Sequence, residues 1–436
     1  MQILPNDVKS TLLNCISDMA SNCWQFTSQP SAFTRKRKIS FEDVLLSVIS
    51  MQKSSSRHEM LKYFDFNAQM PTLSALIQRR HLVTSSAFEH LFYRFTNSFS
   101  FEKTFKGYRI FAVDGSDICI PRNPEDKSTY RISDPYGKGF NMLHLNASYD
   151  LLNRVYTDIS LQAGNEINEY AAICDMIEHY SAVSDQKAIF IADRGFGSFN
   201  VFAHAIENGT YFLIRAKDTG SHNLLSTLQL LDTKEFDLRF ERWLTRRNTK
   251  TVKAEPQIYK SIAGRVFDYL EPKSKKLYYI SFRIVRFLLP NGKTETIYTN
   301  LPKEEFSADE LRHLYHLRWG IETSFRSLKY SLGLLFFHSR NKDFVFQEIY
   351  AKIILYNFCE IITGLIIVKK RDCKYTYQIN HAMAISICIE FLRRRAPGDS
   401  SVAVEKLLNN LLVPVRIGRS YPRFLKARTA STFLYR

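Results

Sequence analysis

The spacing of apolar and polar positions changes character twice along the chain. Over the first hundred residues it is helical: Phe41, Val44, Leu45, Val48 and Ile49 recur three and four apart behind Ser40-Phe41-Glu42-Asp43. The acids there lie in the first turn, where the helix dipole favours them. A short helix is predicted over 57–63. Another follows Pro71-Thr72, with Leu73, Leu76 and Ile77 on one face and Ser74, Gln78, Arg79 and Arg80 on the other. From Tyr108 the pattern turns to strands. Arg109 to Val113 is an apolar run ending at Asp114-Gly115-Ser116. Leu143 to Tyr149 and Val155 to Leu161 alternate on either side of a short connection, as an antiparallel hairpin does. Asn168 to Tyr180 is helical in period, Ala188 to Ala192 is a continuous apolar run stopping at Asp193, and Tyr211 to Ile214 is one more strand. Strands, hairpin, helix and strand in that order predict an α/β domain with a mixed sheet.

Between about 220 and 300 the texture is different. Leu277 to Leu289 and Thr294 to Thr299 flank Pro290-Asn291-Gly292, a hairpin signal, because Asn-Gly accepts positive φ at both turn positions. Arg242, Arg246, Arg247, Lys250, Lys253, Lys260 and Arg265 make this a basic, β-rich insertion. Helix returns at Ser307-Ala308-Asp309-Glu310, which fits a capping box, and continues with breaks to about Leu412. The expected organisation is a helical domain at 1–104, the first part of an α/β domain at 105–219 and the insertion at 220–304. A helical part follows at 305–412, and a basic tail at 413–436.

Composition narrows the classes. The 436 residues carry 60 Lys+Arg against 43 Asp+Glu, a formal charge of +17, which suits a partner rich in phosphate. With 45% hydrophobic residues, collagen-like and largely disordered chains are excluded. The longest apolar stretch, Ile353 to Val368, is too short to span a bilayer and is broken by Glu360. Met1 opens no basic-then-apolar leader, so a cytoplasmic protein is expected. Seven cysteines without a Cys-x-x-Cys read as reduced core thiols. There is no His/Cys cluster with zinc spacing and no Gly-Lys-Ser/Thr phosphate loop, so neither zinc nor ATP is expected. His144 and His179 read as core or surface histidines.

The candidate chemistry lies in Tyr315-His-Leu-Arg318-Trp-Gly-Ile-Glu322-Thr-Ser-Phe-Arg326-Ser-Leu-Lys329. At about 100° per residue, Tyr315, Arg318, Arg326 and Lys329 all share the helical face of Glu322. One carboxylate crowded by cations suits a site that holds a metal and a polyanion together, whereas ion pairs on a solvated helix would alternate in sign more evenly. Asp114 and Asp193 follow apolar strand runs, where α/β sheets place functional groups. Asp117 competes with Asp114, but Asp114 directly follows the apolar run. Three acids from two strands and a helix could hold two Mg²⁺ ions about 3.5–4 Å apart, hard cations that prefer carboxylate and water. Gly320 costs about 1 kcal/mol of helix propensity and would let DNA or another backbone come close.

Tyr315-x2-Arg318-x3-Glu322-x6-Lys329 resembles the Tyr-Arg-Glu-Lys signature of the insertion sequence 4 family of bacterial DDE transposases. Ala112-Val113-Asp114-Gly115-Ser116 and Ala192-Asp193-Arg194-Gly195-Phe196 are similar to the blocks around that family's first and second catalytic Asp. The order of the blocks, the N-terminal helices and the closing Ala430 to Arg436 segment agree too. The resemblance implies a ribonuclease H-like catalytic fold with a β-rich insertion, and cut-and-paste transposition of an insertion element. It implies that Asp114, Asp193 and Glu322 ligate two Mg²⁺ ions, with Mn²⁺ able to substitute. Tyr315, Arg318, Arg326, Lys329 and Arg194 would handle the DNA near the cut. Trp243, in the insertion, would support a flipped base, and Arg79 and Arg80 would contact DNA from the N-terminal helices. The implied partners are double-stranded DNA, as terminal inverted repeats and target, and a second subunit in a synaptic homodimer, with no membrane. An endonuclease of the same fold that joins nothing, or a non-catalytic DNA-binding protein derived from a transposase, would carry much of the same sequence. A glycosidase built on paired carboxylates suits neither the charge nor the basic helix face.

Overall fold

The computed structural model describes residues 3–132, 138–217, 224, 233–289, 291–367, 375–394 and 401–415. Helices α1 (Pro5–Ser21), α2 (Phe41–Ser50), α3 (Ser56–Tyr63), α4 (Leu73–Arg80) and α5 (Ser85–Asn97) open the chain. The Ser40 hydroxyl caps α2 by accepting from the Asp43 amide, and Asp43 returns the bond to the Ser40 amide, so two orphan donors are satisfied reciprocally. These helices enclose one apolar core with the later helix α11 (Lys342–Gly364), which is buried along nearly its whole length. That burial explains the long apolar stretch seen in the sequence. Among the described residues no helix is long and apolar enough to cross a membrane. Glu360, which interrupts the stretch, is paired with Arg154 and His381.

Strands β1 (Arg109–Ile120), β2 (Tyr130–Arg131), β3 (Phe140–Asp150) and β4 (Val155–Ala163) lead into helix α6 (Glu169–Val183). Strand β5 (Ala188–Ala192), helix α7 (Phe199–Glu207) and strand β6 (Tyr211–Arg215) follow. β3 pairs antiparallel with both β1 and β4, while β5 lies parallel to β1 and β6 parallel to β5. This mixed order, β4-β3-β1-β5-β6, is the ribonuclease H-like arrangement expected. α6 and α7 cover one face, which carries Val113 and Ala192. The N-terminal helices, α11 and the site helices cover the other, which carries Ala112, Ile118 and Ile191.

The basic stretch forms strand β7 (Phe236–Thr245), the short helix α8 (Lys250–Ala254), and strands β8 (Tyr259–Ser261), β9 (Leu277–Leu288) and β10 (Thr294–Thr299). The sequence suggested a piece set apart, but β10 pairs with β6, so the insertion continues the same ten-stranded sheet. Its Phe240, Phe282 and Ile284 join the apolar cluster of α6 and α7. The predicted hairpin forms between β9 and β10, with Gly292 at φ 78°, while Pro290 lies outside the described residues. Helices α9 (Ala308–Leu317) and α10 (Trp319–Arg326) come next, the latter continuing into a π turn over Ser327–Ser331. After α11, strand β11 (Tyr377–Ile379), helix α12 (His381–Arg393), helix α13 (Ser401–Asn410) and strand β12 (Leu412–Pro414) close the described chain. The basic tail from Arg416 lies outside it. The six described cysteines are unpaired.

Candidate active site

The parallel ladder between β1 and β5 ends at the rung Val113–Ala192. Asp114 and Asp193 are the next residue on each strand. With side chains alternating in register, both share the parity of Ala112 and Ile191 and face the side covered by α9 and α10. Asp114 does not end its strand, as the sequence suggested. β1 runs on through Ile120 because its antiparallel partner β3 continues beside it, so only the β5 side opens at Asp114. On the facing helices, Tyr315 Oη lies 3.4 Å from Asp193 Oδ1, and the Arg318 guanidinium spans two carboxylates. Its Nη2 donates to Glu322 Oε1 at 2.8 Å and its Nη1 stands 3.5 Å from Asp114 Oδ2. The acids and Arg318 thus converge from two strands and the α9–α10 pair.

The electrostatics are unbalanced. Burial pushes the Asp114 carboxyl up to about 6 even though Arg318 and the Gly115 amide pull it down, and Glu322 and Asp193 add to the upward push. Three carboxylates share one guanidinium. The Arg318 side chain is only 9% exposed and its Nε hydrogen has no acceptor. Among the described residues no three acid, imidazole or thiol groups stand close enough together to clasp a metal ion. The donor set still fits one: hard oxygens with surplus negative charge, and a guanidinium now occupying part of the space between them. Burial also holds the Tyr315 hydroxyl well above the ordinary phenol range.

The expected single helical face is only partly present. Tyr315 and Arg318 stand at the end of α9 and Glu322 in α10, so the near end holds together. The π turn over Ser327–Ser331 then departs from the α-helical angle, and Lys329 Nζ donates to the Asp117 carbonyl at 2.7 Å. Arg326 and Arg194 are exposed. Gly320 does make room, but for a side chain of the protein: a Cβ there would lie 2.7 Å from Leu151 Cδ2.

Trp243 is 40% exposed and packs its ring 5.1 Å from that of Tyr279 across the β7–β9 ladder. It does not line the cavity of about 500 Å³ beside Arg194, whose wall includes Phe199, Phe267 and Tyr298. The Tyr298 hydroxyl is buried without a partner.

At the N-terminal helices Arg80 must be corrected. It is 3% exposed, and it donates to Gln347, to Glu348 at 3.0 Å and to the Phe344 carbonyl, so it faces the core and cannot reach DNA. Ile77, placed on one face with Leu73 and Leu76, is 41% exposed, because the α4 face that packs inward carries Leu76 and Arg80. Arg79 lies over the Phe33 ring at 3.7 Å and is half-buried.

Two residues beside Asp114 make contacts that the sequence did not predict. The Gly115 amide donates to Asp114 Oδ1 at 2.9 Å. A Cβ on Gly115 would stand 2.3 Å from His144 Nε2, so the imidazole lies directly against this backbone. His144 is buried, as read, between Asp117 at 2.8 Å and Glu169 at 3.0 Å. Burial disfavours its charge, but the two carboxylates outweigh burial and raise its pKa. The register of the β1–β3 pair, which sets Asp117 opposite His144, was the signal available. His179 is exposed and bonded to Asp158.

The family described as "Transposase DDE domain" matches residues 105–358. No curated protein matches the chain. Among solved structures, the chain is similar to a piggyBac transposase synaptic complex with hairpin DNA, determined by cryo-EM. The TM-score is 0.47 at 8% identity, covering 95% of this chain and 87% of that one.

Proposed function

The chain belongs to the DDE transposase family, and from that premise we propose that it is a cut-and-paste transposase of the insertion sequence 4 type, with Asp114, Asp193 and Glu322 as its catalytic acids. A DDE transposase is a DNA-acting enzyme that works with divalent metal ions. The observation that carries the assignment is the rung Val113–Ala192, beyond which two aspartates emerge side by side toward Glu322.

In this reading the three carboxylates hold two Mg²⁺ ions. When bound, the ions supply the charge that activates a water or a 3′-hydroxyl and stabilises the leaving oxygen of an in-line phosphoryl transfer. The chain's own residues do the rest. The Gly115 amide fixes the Asp114 carboxylate. Tyr315 orients Asp193. Arg318, Arg326 and Arg194 meet phosphates, and Lys329 anchors the turn after the catalytic helix to β1. Trp243 with Tyr279 offers an exposed aromatic platform on the insertion, and the cavity beside Arg194 has room for an unpaired base. The protein would act as a homodimer that pairs two element ends with a target, in a bacterial cytoplasm.

The test is incubation of the purified protein with labelled DNA carrying its element's ends, with and without Mg²⁺, beside Glu322→Gln. Metal-dependent cutting at the element boundary with joined products, lost in Glu322→Gln while DNA binding persists, is the expected result. Cutting without joining would replace this reading with an endonuclease. Binding without cutting would replace it with a non-catalytic DNA-binding protein.

A further inference from the structure

The unusual member of the site is Arg318. It stands at the junction between α9 and α10, at φ −48° and ψ −34°, and its guanidinium reaches a β-strand acid and a helix acid at once. Arg318 is the cation paired with both carboxylates. Yet the position is not a saturated one, since Nε is a buried donor with no acceptor, and one contact to Asp114 is long at 3.5 Å. A buried guanidinium normally fills its donors. The rings of Tyr315 and Trp319 flank it, with centroids 5.9 and 5.6 Å from the guanidinium carbon, and Trp319 is 49% exposed. The buried cation thus lies beside an exposed ring.

We propose that Arg318 is an internal counter-cation that competes with the divalent ion for Asp114 and Glu322 and moves to a DNA phosphate when that ion binds. This rests on the metal-ligand assignment above. The physical reason is that a guanidinium and a divalent cation cannot share the same pair of carboxylates without strong repulsion at a few ångströms in a half-buried site. The doubly charged ion wins the acids when present, and a phosphate gives the displaced cation a new partner in bidentate geometry. Metal and DNA therefore bind cooperatively, and the coupling is reciprocal: each tightens the other by the same factor. Without DNA the site resists metal, so the hydrolytic machinery assembles on its substrate.

The test measures Mn²⁺ affinity of the full-length protein by electron paramagnetic resonance of the free ion, with no turnover involved. In the absence of DNA, Arg318→Met should bind Mn²⁺ roughly tenfold to a hundredfold more tightly than wild type. Arg318→Lys, which keeps the charge, should stay close to wild type. Arg318→Gln serves as the second neutral variant if Arg318→Met does not fold. Adding a short, already cleaved DNA end should tighten Mn²⁺ binding to wild type and leave the neutral variants unchanged. Equal or weaker Mn²⁺ binding in the neutral variants overturns the proposal. Glu322→Gln separates the two questions: weaker Mn²⁺ binding in that variant keeps the ligand assignment whatever Arg318 does. If it binds Mn²⁺ as wild type does, the ligand assignment fails, and the proposal fails with it.

Discussion

Two charged clusters lie on the same side of the sheet, and each sets arginine against carboxylates. At the seam between the N-terminal helices and α11, Arg80 and His338 hold Glu348, and Arg393 holds Glu59. Lys352 reaches the Met51 carbonyl, and all six side chains are under a tenth exposed. Burial works against the Glu348 charge, but Arg80 and His338 more than overcome it and hold the carboxyl down at about 2. In the site the balance is reversed. Three acids share one guanidinium, and Asp114 is held up at about 6, burial leading. The seam pairs each of its carboxylates with an arginine and ties the N-terminal helices to α11 and α12. The site leaves negative charge over, which is how a protein keeps a place for a cation that it does not itself supply.

The most severe way to probe that contrast is to remove an acid from each cluster's centre. Asp114→Asn or Glu322→Gln should take strand cleavage below detection while the melting temperature holds or rises, because a surplus charge is removed where function and stability oppose each other. Gel assays and calorimetry on the same samples would check this. A fall in stability would mean the site is as saturated as the seam.

Breaking the seam should have the opposite signature. Arg80→Met leaves Glu348 buried without its guanidinium and should cost about 3–5 kcal/mol in urea unfolding. Adding Glu348→Gln should recover part of the loss. DNA affinity of any protein that remains folded should not change, because Arg80 does not face solvent.

Acid titration sharpens the comparison further. The Glu348 carboxyl is held down at about 2 in the folded chain against the ordinary glutamate value of 4.5, so its stabilisation is complete above about 4.5 and is lost as pH falls toward 2. Glu348→Gln should flatten the acid limb of the stability curve over that window by on the order of 3 kcal/mol. An unchanged slope would show the seam to be weaker than its geometry.

Smaller effects are expected of the groups proposed to meet DNA. Trp243→Ala should weaken binding of an end with unpaired bases by about 1–3 kcal/mol, read by fluorescence anisotropy, without moving the melting temperature. Smallest of all, Arg326→Ala should lower the salt dependence of binding by about 0.9 in log–log slope if it neutralises one phosphate. An unchanged slope removes Arg326 from the interface.

Much of this was legible from local pattern. The two acids that follow apolar strand runs, the four-residue spacing of Arg318 and Glu322, and the capping residues Ser40 and Ser307 need only their neighbours in sequence to act. What escaped depends on partners far along the chain. Arg80 looks like a surface cation until Glu348, 268 residues away, arrives beside it. β1 looks finished at Asp114 until β3 supplies hydrogen bonds to the polar residues that follow. The insertion looks separate until β10 adds to the edge of β6. The π turn that redirects Lys329 has no signature in helical periodicity at all.

The rung Val113–Ala192 has a consequence for how such a chain can change over generations. Residues before it can be exchanged for others of similar bulk, since only their fit against the covering helices is at stake. A single deletion or insertion within Ile110–Val113 or Ile189–Ala192 is another matter, because it turns the following aspartate through the sheet to the α6–α7 side, away from Glu322. The lengths of these two short runs are therefore inherited more strictly than their letters. Variation in length is left to the connections that lie away from the rung.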